Sequence, residues 1–161
     1  MRTYIAVIGA GECDPETERL AYTVGREIAR RQAVLICGGL GGVMAAAARG
    51  AAEAGGLVVG ILPGSRREEA NPYLTVAIAT GLGEARNALV VRAADAVIAV
   101  NGGYGTLAEI GLALKMGLPV IGLETWEIGR RGEQDRGIIP ARDPVEAVEL
   151  ACRRNTAGRY S

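Results

Sequence analysis

Glycine clusters that stand where short apolar runs end restrict the fold of this 161-residue chain more than any other feature. The chain has 24 glycines, about twice the usual share of roughly 7 %. They are not evenly spaced, as in a linker, but gather at residues 9–11, 38–42, 81–83 and 102–105. Because these clusters follow apolar runs and precede helical patterns, they predict a series of strand–turn–helix units.

Short apolar runs alternate with helical patterns along the chain. Strands are predicted at 5–8, 34–37, 57–62, 74–79, 97–100 and 120–123, with helices beginning near residues 14, 41, 83, 106 and 143. Several runs are continuously apolar, as in strands that are covered on both faces. The alternation predicts an α/β protein: a single Rossmann-like domain over residues 1–154, with a doubly wound parallel sheet and helices on both faces, followed by a C-terminal tail at 155–161.

Two stretches depart from this alternation. Between Leu62 and Leu74 the chain has prolines, glycine and charged residues but no full helix. We therefore expect the strand order to reverse near this stretch, with the first and fourth strands adjacent in the middle of the sheet. Residues 127–142 are polar and arginine-rich, which predicts a mobile surface loop.

Charge and cysteine content indicate which partners and which cellular compartment to expect. Lys plus Arg and Asp plus Glu both number 18, so the formal net charge is +0, and we expect neither nucleic acid nor a membrane surface as a partner. No apolar run approaches the roughly 20 residues that span a bilayer. Cys13, Cys37 and Cys152 form no Cys-x-x-Cys pair, and the N-terminus shows no charged leader, so the protein is predicted to be cytoplasmic. Cys13 and Cys37 are interpreted as buried apolar thiols.

Residue types that are absent or rare exclude several chemistries. The chain has no histidine, which excludes Ser-His-Asp triads and His-ligated metal sites, and no metal site is predicted. Lys115 is the only lysine, so the Gly-Lys-Ser/Thr ending of a P-loop is absent. No acidic residue ends the second strand and neither glycine segment fits the dinucleotide fingerprint well, so a nicotinamide cofactor is disfavoured.

Two of the glycine clusters are candidate phosphate-binding turns. In an open parallel sheet, ligands bind beyond the carboxyl ends of the strands, where glycine lets backbone amides approach a phosphate and the next helix adds its dipole. An alternative is that the glycines only allow tight turns and close helix packing. The candidate ligand-binding residues are Gly38, Gly39, Gly41, Gly42, Met44, Gly102, Gly103, Tyr104, Gly105 and Thr106.

Each polar or aromatic candidate also has a plain structural interpretation. Thr106 and Glu109 are three residues apart at a helix start, which suits either a capping box or a site in which Thr106 binds phosphate and Glu109 lies at a reacting sugar carbon. Arg86, near a helix start, either binds an anion or is a solvated surface arginine. Tyr104, together with Tyr73, either stacks on a base or pterin or is a rim residue with its hydroxyl in water.

Residues Asn101 to Glu109 resemble the Pro-Gly-Gly-x-Gly-Thr-x-x-Glu signature of the LOG family, within the SLOG superfamily. These are phosphoribohydrolases that were long labelled possible lysine decarboxylases. Arg86 stands 15 residues before Asn101, where that family has its active-site arginine, and residues 38–44 resemble its other glycine-rich motif. The resemblance implies a Rossmann-like fold, a homodimer or homotetramer, a nucleoside 5′-monophosphate site, and catalytic roles for Arg86 and Glu109.

The chain departs from the LOG pattern in three respects, and in each of them it resembles a sister branch that contains the molybdenum cofactor carrier proteins. Asn101 replaces the family's Pro, Asn87 replaces its usual Lys, and residues 38–44 are one residue shorter. This branch binds a phosphorylated pterin or nucleotide, so no further cofactor is implied. Two hypotheses follow: a carrier or binding protein for a phosphorylated heterocycle, and a phosphoribohydrolase that releases base and ribose 5-phosphate. A decarboxylase is disfavoured because Lys115 stands at the far end of its helix from the glycine turn.

Overall fold

The computed structural model describes residues 1–155, with side chains through Arg153. The strands of this part of the chain are β1 (Tyr4–Gly9), β2 (Val34–Cys37), β3 (Leu57–Leu62), β4 (Val76–Ala79), β5 (Ala96–Val100), β6 (Val120–Leu123), β7 (Ile128–Arg130), β8 (Glu133–Asp135) and β9 (Ile138–Pro140). The α-helices are α1 (Pro15–Arg30), α2 (Val43–Glu53), α3 (Arg86–Arg92), α4 (Tyr104–Lys115) and α5 (Pro144–Asn155). Short 3₁₀ helices lie at Arg67–Glu69 and Gly83–Ala85. Of the tail predicted at 155–161, Asn155 is the last residue of α5, and the rest lies outside the described residues.

Helix α1 shows how local signals set the elements. Asp14 stands before the helix in extended backbone and accepts a hydrogen bond from the Thr17 amide at 2.7 Å, and Pro15 is the first helical residue. Val24 and Ile28, four residues apart, are fully buried against the sheet side of the helix. The helix thus begins where the sequence predicts it, near residue 14.

Seven strands form one parallel sheet in the order β4-β3-β2-β1-β5-β6-β9. The doubly wound α/β fold is therefore confirmed. The predicted strand order is wrong in one respect, because β1 pairs with β2 and β5, whereas the fourth strand, β4, lies at the edge beside β3.

The reversal of strand order falls later in the chain than predicted. The stretch between β3 and β4 contains only the 3₁₀ turn Arg67–Glu69, yet it returns the chain to a parallel neighbour of β3. The chain then leaves the edge through Gly83–Ala85 and α3, and enters β5 beside β1. A missing helix therefore marks a local connection here, and the long crossover is made by α3.

The loop predicted at 127–142 instead contains three short strands. Strands β7 and β8 form an antiparallel hairpin, and β9 pairs in parallel with β6, with Ile138 beside Val120. Each of these strands has three residues, which is too short to show an apolar alternation in the sequence.

Two apolar layers cover the sheet. One layer contains α1, α2 and α5, with Ile5 and Val7 of β1 pointing into it. The other contains α3 and α4, which meet the alternate β1 residues Ala6 and Ile8. Helices α1 and α4, which follow the adjacent strands β1 and β5, therefore leave the sheet on opposite faces and open a crevice between the two strand ends.

Candidate functional site

Helix α4 begins after a three-residue turn that follows β5, and no side chain caps it. Gly103 precedes the helix in extended backbone (φ −100°, ψ −153°). The first hydrogen bond of the helix runs from the Leu107 amide to the Gly103 carbonyl at 3.0 Å. The amides of Tyr104, Gly105 and Thr106 therefore have no acceptor within the helix, and they stand at the positive end of its dipole.

Helix α2 also begins without a side-chain cap, beyond the end of β2. Gly42 precedes it with φ +62°. The Val43 amide donates to the Ala10 carbonyl at 3.0 Å, which ties this helix start to the end of β1. A Cβ on Gly42 would lie 2.3 Å from that same carbonyl oxygen. Both helix starts that the sequence selected thus lie at the carboxyl edge of the sheet, on either side of β1.

The glycines of these two turns divide into two groups. Some are required by the fold: Gly39 (φ +78°) packs against Leu62, and Gly102 (φ +103°) would place a Cβ 2.4 Å from the Thr106 hydroxyl oxygen. Gly103 and Gly105 are different, because a Cβ at either position would meet nothing within 4 Å and neither has a positive φ. Close packing therefore accounts for the first group and leaves Gly103 and Gly105 unexplained.

Gly41 lies between the two groups. A Cβ there would meet only the Gly11 carbonyl oxygen, at 3.2 Å. Glycine at position 41 therefore keeps the turn before α2 close to the turn after β1.

Arg86 is buried under the first glycine turn, with 8 % of its surface exposed. Its Nη2 lies 3.4 Å from the Gly38 carbonyl oxygen, and its Nη1 donates to the Asn87 side-chain oxygen. Its buried Nε has no partner within the described part of the chain. A Cβ on Gly38 would lie 2.8 Å from Nη2 and 2.6 Å from the Met44 sulfur. The structure thus brings Gly38, Met44 and Arg86 together, and the interpretation of Arg86 as a surface residue is wrong.

Glu109 shares an electrostatic environment with Arg86. Burial raises the pKa of the Glu109 carboxyl to about 7, and the Arg86 guanidinium opposes that rise. Burial also lowers the pKa of Arg86, while Glu109 raises it. The two side chains come from α4 and α3, which pack together on one face of the sheet. A carboxyl that titrates near neutral pH beside a buried cation can act as an acid or a base.

The capping-box interpretation of Thr106 and Glu109 is wrong. The residue before α4 is Gly103, so Thr106 lies inside the first helical turn, where it is 3 % exposed. Its hydroxyl packs against Gly102. Thr106 is therefore close to the free amides without capping the helix.

Trp126 is a residue of this region that sequence reasoning missed. Its Nε1 donates to the Gly103 carbonyl at 3.1 Å, and its ring centroid lies 5.6 Å from that of Tyr104 at an interplanar angle of 32°. It follows β6, 23 residues after the turn it contacts, so no local pattern could have indicated it. The single available signal was that the chain has one tryptophan, placed in a polar stretch.

Tyr73 lies apart from the Tyr104–Trp126 pair. It lines a cleft of about 390 Å³ beside the start of α2, together with Gly11, Cys13, Gly42 and others. The two tyrosines that the sequence grouped together thus have separate surroundings.

The cysteines and acidic residues of the region form no further reactive cluster. Cys37 is fully buried, and burial raises the pKa of its thiol to about 11. Partial burial, followed by the charges of Glu18 and Asp14, raises the pKa of Cys13. Within residues 1–155, no group of three or more His, Cys, Asp or Glu side chains is placed to hold a metal ion. None of the helices described is long and apolar enough to cross a membrane.

The fold and the crevice define a Rossmann-like α/β protein with two uncapped helix starts at its carboxyl edge. A family model described as the SLOG cluster4 family matches residues 2–148, and the chain belongs to this family. The resemblance drawn from the motifs is confirmed.

Two solved structures that are similar over nearly the whole chain are named for molybdenum cofactor. The molybdenum cofactor binding protein of Rippkaea orientalis is 36 % identical, with a TM-score of 0.86 over 96 % of this chain and 98 % of that one. The molybdenum cofactor carrier protein of Chlamydomonas reinhardtii is 30 % identical, with a TM-score of 0.82 over 97 % and 99 % of the two chains. An uncharacterized protein of Archaeoglobus fulgidus is 55 % identical over 120 residues, which is 74 % of this chain and 79 % of that protein.

A more distant structure shares the fold alone. DNA processing protein A of Helicobacter pylori is 20 % identical, with a TM-score of 0.71 over 94 % of this chain and 81 % of that chain.

Proposed function

We propose that this protein binds and carries a phosphorylated heterocycle, a molybdenum-cofactor-type pterin or a nucleotide, at the two glycine helix starts. The observation that carries the proposal is that Gly103 and Gly105 have open space where a side chain would fit. Glycine is unfavourable in a helix relative to alanine, and Gly105, unlike the equally open Gly111, lies beside the free amides at the helix start, where a ligand gives a reason to keep the space clear. A phosphate on the free amides of Tyr104, Gly105 and Thr106 supplies that reason.

Arg86, which lies beside Gly38, supports the same assignment. Its guanidinium is buried, makes a long contact to the Gly38 carbonyl and a hydrogen bond to the Asn87 side chain, and has a buried Nε without a partner in the described structure. A buried cation with unfilled donors is stabilised by an anionic ligand. The structural relatives named for binding or carrying molybdenum cofactor favour a pterin phosphate among such ligands.

Calorimetric titration tests the phosphate subsite with matched alanine variants. Gly105→Ala and Gly111→Ala both place a methyl group in open space on α4, so both are expected to keep or raise the melting temperature. Only Gly105→Ala narrows the approach to the free amides. We expect it to weaken AMP and neopterin phosphate binding at least about tenfold, a cost typical of hydrogen bonds to a charged group. Equal affinities for the two variants, or equal binding of adenosine and AMP by the native chain, contradict the proposal.

A phosphoribohydrolase is the second candidate, and the Glu109–Arg86 pair favours it. With its pKa near 7, Glu109 could orient or deprotonate the water that attacks C1′ of a nucleoside 5′-monophosphate as the bond from C1′ to the base nitrogen breaks. The leaving base would take up a proton, and Arg86 would hold the substrate and offset developing charge.

Product analysis separates the two candidates. The protein is incubated with AMP and N6-modified AMP, and free base and ribose 5-phosphate are followed by chromatography. Release that disappears in Glu109→Ala and Arg86→Ala supports the hydrolase. Tight binding without release supports the carrier.

We also propose that the protein self-associates as a homodimer or homotetramer. The edge strand β4 exposes Val76 (47 %) and Ile78 (46 %), and Ile78 lies in register with Ile61, whose side chain packs on the face of α3 and α4. On that face, Leu89 of α3 is 41 % exposed. Exposed apolar side chains on one face favour a second copy of the chain as the partner.

A further inference from the structure

The connection between β6 and β7 holds both ends of the second glycine turn. Thr125 Oγ1 donates to the Asn101 carbonyl at 2.7 Å, and Trp126 Nε1 donates to the Gly103 carbonyl at 3.1 Å. Two consecutive side chains thus fix the carbonyls on either side of Gly102. The turn that ends at α4 is therefore held by a segment well separated from it in sequence.

Tyr104 presents one covered and one open face. Its ring packs against Trp126, with the centroids 5.6 Å apart, yet 82 % of the residue is exposed. As the first residue of α4, it has a Cα–Cβ bond that tilts toward the helix N-terminus. The ring therefore extends past the helix end, in the direction in which the free amides of Gly105 and Thr106 also point.

We infer that Tyr104 is the stacking subsite for the planar nitrogen heterocycle of the ligand, and that Trp126 is the residue that positions it. The inference rests on the proposed function, since it places the heterocycle beside the phosphate subsite. Stacking on an aromatic ring accepts purines and pterins alike, because each has a π-face. Trp126 supports the ring from behind and leaves the open face to the ligand.

Two ligands that differ only in the base test the role of Tyr104. Binding of AMP and of ribose 5-phosphate is measured by calorimetry for the native chain, Tyr104→Ala and Tyr104→Phe. We expect Tyr104→Ala to weaken AMP about tenfold or more, the usual effect of removing one stacking ring. The affinity for ribose 5-phosphate should stay unchanged, and Tyr104→Phe should behave as native because it keeps the ring.

Fluorescence tests the role of Trp126, which is the only tryptophan in the chain. AMP should change its emission in the native chain, and ribose 5-phosphate should not. Trp126→Ala should weaken AMP more than ribose 5-phosphate, and Trp126→Phe, which keeps a ring but loses the Nε1 donor, should recover part of the AMP affinity.

The outcomes separate this inference from the proposed function. If neither ligand binds the native chain, both the phosphate subsite and the stacking subsite are rejected. If both bind but Tyr104→Ala weakens them equally or not at all, or if AMP leaves the Trp126 emission unchanged, only the stacking subsite is rejected.

Discussion

Asn101 follows β5 directly and has a left-handed backbone conformation, with φ +50°. Its side-chain oxygen accepts from the Gly102 amide at 2.9 Å, and its side-chain nitrogen donates to the Thr17 hydroxyl at 3.2 Å. Asparagine tolerates this region because its short side chain can make such local bonds. Proline cannot adopt it, because its ring fixes φ near −65°. The proline of the LOG signature is therefore incompatible with the turn conformation found here.

Substitution of Asn101 tests the conformation of the turn. Asn101→Pro should destabilise the protein by about 3 kcal/mol or more, because it imposes a negative φ and removes the amide that donates to the Leu123 carbonyl at 2.9 Å. Asn101→Gly keeps the conformation and should cost about 1 kcal/mol, through loss of the side-chain bonds. Urea denaturation measures both. Equal stability of the two variants would mean that the turn does not require the left-handed conformation.

Glu109 makes stability depend on pH. Its folded-state pKa of about 7 lies above the ordinary value of 4.5, so its contribution is fully present below pH 4.5 and is lost as the pH rises through 7. Glu109→Gln mimics the neutral acid. Its melting temperature should match the native value near pH 5 and exceed it at pH 8, as followed by circular dichroism. A gap that stays constant between the two pH values would show that the carboxyl does not titrate in this range.

At the scale of elements, the two uncapped helix starts have different reasons for glycine. Before α2, the backbone of Gly42 is pressed against the Ala10 carbonyl, so the fold itself excludes a side chain. Within α4, Gly105 has open space, so packing within the chain does not require glycine there. The same residue type is structural at one helix start and available for binding at the other.

Two alanine substitutions test whether the fold requires glycine at the start of α2. Gly42→Ala should cost at least about 2 kcal/mol, because φ is +62° and the new Cβ meets a backbone carbonyl at 2.3 Å. Gly11→Ala, in the neighbouring turn, meets nothing within 4 Å and should be nearly neutral. Thermal unfolding of both variants gives the comparison. If both variants lose a similar amount of stability, the strained backbone of Gly42 is not what requires glycine at this helix start.

The elements that sequence predicts well are those with local signals. Neighbouring residues signal these boundaries: Asp14-Pro15 marks the start of α1, and glycine turns follow the ends of β2 and β5. Contacts between distant segments have no such local signal. The hydrogen bond from Trp126 to Gly103 joins residues 23 positions apart, and no sequence pattern predicts it. Arg86 was selected by spacing and motif, whereas its burial beneath Gly38 follows from the path of α3 across the sheet.

At the scale of the whole molecule, strand order could not be read from the sequence. The stretch between β3 and β4 lacks a full helix, yet it is followed by a parallel neighbour, and the reversal comes with α3 instead. Length and composition of a connection do not state which strand it reaches. The parallel, doubly wound class followed from alternation alone, since it does not depend on which strands are neighbours.

Self-association is the prediction that belongs to the whole molecule. Leu89→Asp places a charge on the exposed apolar face of α3 and should convert the assembly to single chains. Arg92→Asp, on the same helix but in its exposed last turn, also changes charge and serves as the control. Light scattering after gel filtration gives the masses. A native chain that elutes as a monomer, or a Leu89→Asp variant of unchanged mass, contradicts the proposal.

The two edges of the sheet differ in a way that bears on how copies can join. The Ala141 amide donates to the Gly122 carbonyl of β6 at 2.9 Å, so the nitrogen of Pro140, one residue earlier, faces away from the sheet. Since proline has no N–H there, the β9 side offers a broken row of donors. Strand-to-strand pairing between copies is therefore expected at the β4 edge of the sheet rather than at the β9 edge.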